Sequence, residues 1–139
     1  MAIAENVGAG AGEAGAEAGE GEDLRQLRSS IEQRLDRLRF GKPAAPGDLA
    51  ARVLDAFLAD APRCLDTIAN AIGAGDITTA REQAHDLTSL SGYIGADDMV
   101  AACGDLRQRL KDGDLVHAAE VAAELRNGYE RASRAIASM

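Results

Sequence analysis

DITTAREQAHDLTSLSGYIGADDMVAACGDLRQRLKDGD, residues 76–114, carries two runs of apolar residues at helical spacing, divided by a single glycine. Ile77, Ala80, Ala84, Leu87, Ser91 and Ile94 recur every three or four residues, and so do Met99, Cys103, Leu106 and Leu110. Each set is the buried stripe of an amphipathic helix. Asp76 stands before the first run as a cap, with Thr79 in the first turn. Gly95 closes that helix, Gly113 stops the second, and Asp114 caps a third. Connections this short make the first two helices antiparallel neighbours.

The same reading extends outward. Downstream, Ala118, Val121, Ala122, Leu125, Tyr129, Ala132 and Ile136 mark the stripe of a last helix. Upstream, Asp48 caps a helix with Leu49, Val53, Leu54, Phe57 and Leu58 on its apolar face. Pro62 either kinks this helix or opens a new first turn. Leu65, Ile68, Ala69 and Ile72 continue the pattern from Cys64 until Gly73 and Gly75 end it. The junctions GAGDITTAREQAHDL and KDGDLVHAAEVAAEL repeat a cap chemistry and are not a true internal repeat. Residues 48–139 are thus predicted to form an all-α, antiparallel up-down four-helix bundle. Composition agrees: 139 residues suit one domain, 46 % are hydrophobic, and aromatics are only 3 %. Ala, Leu, Arg and Glu dominate, and an all-β fold is close to excluded.

Ahead of the bundle, DLRQLRSSIEQRLDRLRF at 23–40 places Leu24, Leu27, Ile31, Leu35 and Leu38 on one face and Arg25, Arg28, Arg34, Arg37 and Arg39 on the other. This is an additional amphipathic helix. Its stripe covers the main domain, a partner or a second copy of the chain; fewer than three heptads is short for a coiled coil, and a monomer is expected. The basic face is expected to be solvated. GKPAAPG at 41–47 is a loop or linker. Residues 1–22 hold six Gly, seven Ala and five Glu with no Lys or Arg, so they read as a disordered acidic tail, transiently helical where Ala and Glu cluster.

A net charge of −8 argues against nucleic acid as the main partner. No apolar run approaches the ~20 residues of a membrane span, and the first residues lack the basic and apolar regions of a signal peptide. A free-standing cytoplasmic protein is expected. Cys64 and Cys103 read as buried thiols. With His85 and His117 they show no metal-ligand spacing, so no metal site is expected. There is no Gly-rich phosphate loop and no kinase motif, hence no cofactor and no nucleotide site.

One residue looks like chemistry. On a helical wheel at about 100° per residue, His85 lies more than about 100° from the centre of its helix's stripe, so its ring points outward. Its neighbours along the helix are Arg81, Thr88, Ser89 and Gly92, which leaves small side chains and then none above the ring. A mid-helix glycine costs about 1 kcal/mol relative to Ala, so close approach of something large is indicated. Neutral imidazole is a good nucleophile near pH 7. A phosphoryl group on it needs donors and positive charge around its oxygens. Thr88 and Ser89 can donate, and Arg81 can supply charge. The same residues also fit a solvated histidine on an ordinary helix, because one imidazole and two hydroxyls are a weak constellation. His117, beside the Asp114 cap, reads as a surface residue.

AHDLTSLSGYIGA, residues 84–96, resembles the signature of histidine-containing phosphotransfer (HPt) domains through Ala84, His85, Leu87, Ile94, Gly95 and Ala96. Met99, Cys103 and Leu106 fit the family's spacing beyond it, and Gly113-Asp114 fits the pair that opens the last helix. FLADAPRCLDTIANAIGAGD at 57–76 is similar to the family's preceding helix. The resemblance implies a four-helix bundle whose His85 Nε2 takes a phosphoryl group from a receiver-domain aspartate or a hybrid histidine kinase and passes it to a response regulator. It implies that Mg²⁺ sits in the receiver partner only. Gly92 and Tyr93 would then belong to the docking surface. Two positions depart from the pattern: Thr88 stands where the family usually has Lys, and Ser89 where it has Gly. Arg81 is expected to compensate for the Lys. The departures also invite a non-transferring module that docks on or sequesters a receiver or kinase, and the 23–40 helix invites an oligomerisation adaptor.

Overall fold

The computed structural model describes the backbone of residues 11–139 and the side chains from Gly21 onward. Five helices occur in order: α1 (Ala11–Leu38), α2 (Leu49–Gly73), α3 (Ile77–Ile94), α4 (Asp97–Lys111) and α5 (Leu115–Ala137). The described residues contain no strand. α2 packs on α3 and α5, and α4 packs on α3 and α5, so the last four helices close a ring around one core. This is the expected up-down bundle.

Each junction has the chemistry its sequence promised. Asp48 accepts from the backbone N–H of Ala51 at 2.8 Å, Asp76 from Thr79 at 3.1 Å and Asp114 from His117 at 3.3 Å. Such bonds satisfy orphan donors of the first helical turn. They also hold the three carboxyls below the ordinary carboxylate range: Asp48 through Ala51 and Ala45, Asp76 through the Thr79 hydroxyl and N–H, and Asp114 through His117. Leu49, expected on the apolar face of α2, is the first residue of the helix and is 41 % exposed instead.

α2 runs unbroken through Pro62. Proline has no N–H to give the carbonyl four residues back and so orphans it. That carbonyl is Leu58, and the Tyr129 hydroxyl of α5 donates to it at 3.3 Å. The Tyr129 ring meanwhile packs on Phe57 with centroids 5.4 Å apart. One aromatic side chain therefore seals the apolar seam and satisfies the backbone group that proline leaves open.

α1 takes in residues 11–22, the part of the expected acidic tail in which Ala and Glu cluster and transient helix was expected. The rest of the expected tail, residues 1–10, lies outside the described residues. The apolar stripe of α1 is covered within the chain: Ile31 and Leu35 are fully buried, with Leu24, Leu27 and Leu38 packed around them. The helix lies mainly against α5 and reaches α2 and α3. Arg39 joins it to the bundle, bonding Asp36 at 2.9 Å and facing Asp48 at 3.5 Å.

The contact that matters most for α3 is at its C-terminus. Ser30 Oγ donates to the Gly95 carbonyl at 2.9 Å, and Arg34 Nη1 donates to the Gly92 carbonyl at 2.7 Å. These carbonyls lie where a helix runs out of internal partners. Gly95 makes the approach workable, since it sits at φ 79°, with α1 directly against it.

Ser91 is the exception in the core. It is fully buried on α3, and its hydroxyl meets no hydrogen-bonding protein group. An unsatisfied buried hydroxyl costs about 1–3 kcal/mol. Ser91→Ala is therefore expected to raise stability by about 1 kcal/mol, read as a melting temperature roughly 4 °C higher. A lower melting temperature would show that the hydroxyl has a partner in solution.

Candidate functional site

His85 stands midway along α3 and is exposed, as the wheel required. The α1 hydrogen bonds to this region fall at Gly92 and Gly95, and the imidazole is left exposed. The ring lines an open cleft of about 540 Å³ together with Thr78, Arg81, Glu82, Gln83, Asp86 and Arg107. Arg81 comes from the turn before His85 on the same helix. Arg107 comes from α4.

The antiparallel register explains Arg107. A Cβ on Gly92 would touch Val100 at 3.9 Å, so these two positions face each other across the α3–α4 seam. Two turns back along α3 and two turns forward along α4 bring His85 opposite Arg107. Sequence reasoning missed this residue because it tracked neighbours along one helix only. The same flank of α4 carries Gly104, one turn before Arg107. No atom lies within 4 Å of where its Cβ would be. Neither Gly92 nor Gly104 is required by the packing, and both lower the walls of the seam beside the imidazole.

The other expected site residues are distributed less tightly. Thr88 is half-buried and turns its hydroxyl inward, donating to the Ala84 carbonyl at 2.9 Å. Ser89 is exposed but lines a neighbouring cleft on the α2 side, with Asp60, Arg63, Cys64 and Leu90 among its other walls. Tyr93 is 56 % exposed one turn beyond Ser89, so it is free to meet a partner. Gly92 is half-buried, and its carbonyl is held by Arg34. His117 is exposed, its Nδ1 donating to the Asp114 carboxylate at 2.6 Å. That contact makes it part of a helix cap.

Both thiols are buried and free. Burial pushes Cys103 up to about 11 against the opposing effect of the Thr88 hydroxyl, and burial with the nearby Asp86 and Asp60 carboxylates raises Cys64. Neutral thiols of this kind are poor nucleophiles. Among the described residues there is no cluster of three or more His, Cys, Asp or Glu side chains able to hold a metal ion. No helix among them is long and apolar enough to cross a membrane.

The family model described as Hpt domain matches residues 52–135, from the first turn of α2 to the last turn of α5. The chain belongs to the Hpt domain family. Hpt domains are the histidine phosphotransfer modules of phosphorelay signalling, phosphocarriers that work with receiver and kinase partners. The match to the Hpt domain takes in all four bundle helices and leaves α1 outside. No curated protein and no solved structure is significantly similar to the chain.

Proposed function

We propose that this Hpt domain carries its phosphoryl group on His85 Nε2, taking it from a receiver-domain aspartate or a hybrid kinase and handing it to a response regulator. The observation that supports this reading is an exposed imidazole, on a rigid helix, in an open cleft with two guanidinium groups. The Nε2 lone pair attacks phosphorus as the bond to the aspartyl oxygen breaks, and the carboxylate leaves with its electron pair. The Nδ1 proton passes to solvent, and transfer onward reverses these events. An exposed ring suits this chemistry, because donor and acceptor must each reach it in line. On this reading the chain needs no cofactor, and the Mg²⁺ that serves the aspartyl phosphate belongs to the receiver. Tyr93 and the small residues around Ser89 and Gly92 form the contact surface for that partner, with Tyr93 as an aromatic anchor.

Mixing the full chain with phosphorylated receiver domains is expected to move acid-labile label onto it within the time of mixing for the cognate receiver. A panel in which no receiver and no hybrid kinase labels the chain would overturn the reading. One observation favours a second reading, a docking module without transfer: the Thr88 hydroxyl, at the family's lysine position, is engaged by the Ala84 carbonyl. Binding to a receiver that is unaffected by His85→Ala, with no label from any donor, would select it.

A further inference from the structure

The family's lysine is absent here, and the sequence alone assigned its charge to Arg81. The structure shows a second cation in the cleft. Arg107 projects from α4 and shares the cavity with His85 and Arg81. It lines the cleft from α4 and Arg81 lines it from α3, so the two arginines come to the histidine's cleft from different helices.

Among the described residues neither Arg81 nor Arg107 is in an ion pair, although Glu82 and Asp86 line the same cleft. An unpaired guanidinium keeps all five donors available, and its planar fork matches the oxygens of a phosphoryl group. Two such groups on separate rigid helices are placed in advance of the negative charge they would meet. Nearby, Thr88 gives its proton to a backbone carbonyl and Ser89 faces another cleft, so the arginines are the cationic donors that share the cleft with His85.

We infer that Arg107, acting with Arg81 across the α3–α4 seam, stabilises the phosphoryl oxygens as the group moves onto and off His85, replacing the charge that Lys supplies elsewhere in the family. The inference rests on the phosphocarrier reading and adds the residue that tunes its rate. In the transfer, phosphorus gains the bond to His85 Nε2 and loses its bond to the donor. Arg107 exchanges no proton and makes no covalent bond. Its contribution is charge, so a lysine at the same place should retain most of it.

The test uses the full chain with phosphoramidate, a small donor that needs no protein docking and releases ammonia. Phosphohistidine is monitored by phosphorus NMR in the wild type, Arg107→Gln, Arg107→Lys and Arg81→Gln. Arg107→Gln is expected to slow phosphorylation roughly tenfold, the scale of a charged donor in a site open to water. Arg107→Lys should recover most of the rate. Arg107 is exposed, so circular dichroism and melting temperature should be equal in all four proteins. If the wild type takes label and Arg107→Gln matches its rate, or if lysine restores nothing, the role of Arg107 is overturned while the carrier reading stands. If the wild type takes no label from phosphoramidate or from any phosphorylated receiver, both fall together.

Discussion

His85→Gln is expected to abolish acid-labile label altogether while leaving helicity and melting temperature unchanged. The imidazole makes no hydrogen bond or ion pair with the described residues, and the residue is exposed. Removing it breaks no structural contact, and surface substitutions of this kind usually stay within about 0.5 kcal/mol. Glutamine keeps a polar side chain of similar reach but has no lone pair able to attack phosphorus at neutral pH. The loss should therefore be complete and confined to chemistry. His117→Gln is the control, since it removes the other imidazole and touches only the Asp114 cap. Label that survives H85Q, or disappears in H117Q, would move the phosphorylation site elsewhere.

The largest stability effect is expected at Gly95. Its φ of 79° is a left-handed conformation, which costs a residue with a Cβ roughly 1–2 kcal/mol. A Cβ there would also stand 3.0 Å from Arg34 Cβ and 3.1 Å from the Ser30 carbonyl oxygen. The second neighbour is α1 backbone, so the helix itself has to shift. That shift loosens the Ser30 and Arg34 bonds to α3. Gly95→Ala should thus cost about 2–4 kcal/mol in all. Gly113→Ala isolates the conformational part, because Gly113 has φ 74° with nothing within 4 Å of its Cβ position. Urea unfolding of both variants reads the docking of α1 as the difference between them. Equal losses would mean that α1 contributes little to holding α3.

A feature is legible in the sequence when it is local. The caps at Asp48, Asp76 and Asp114 and the glycine ending of α3 are decided within four residues, and they stand where the pattern placed them. The buried stripes of α3 and α4 likewise come from helical period, down to Cys103 and Leu110. Features that depend on a second element were hidden. Pro62 left two outcomes open because its partner, the Tyr129 hydroxyl, bonds the Leu58 carbonyl from 71 residues away in the chain. Arg107 needed the register across the α3–α4 seam. The pattern marks Thr88 as a donor for the site, but a hydroxyl at the edge of the stripe has a backbone carbonyl within reach one turn back. The exposed position of His85 was legible because it depends only on the angle around one helix.

The α1 contacts bear on what constitutes a transferable unit. The family match begins at Arg52, yet two donors and two fully buried side chains that close the bundle's end come from Ser30, Ile31, Arg34 and Leu35. A chimera spliced at the matched boundary would carry the phosphoryl chemistry but leave an uncovered hydrophobic floor and two carbonyls exposed to water. For grafting into another signalling scaffold, the module starts no later than Asp23, and its lid travels with it.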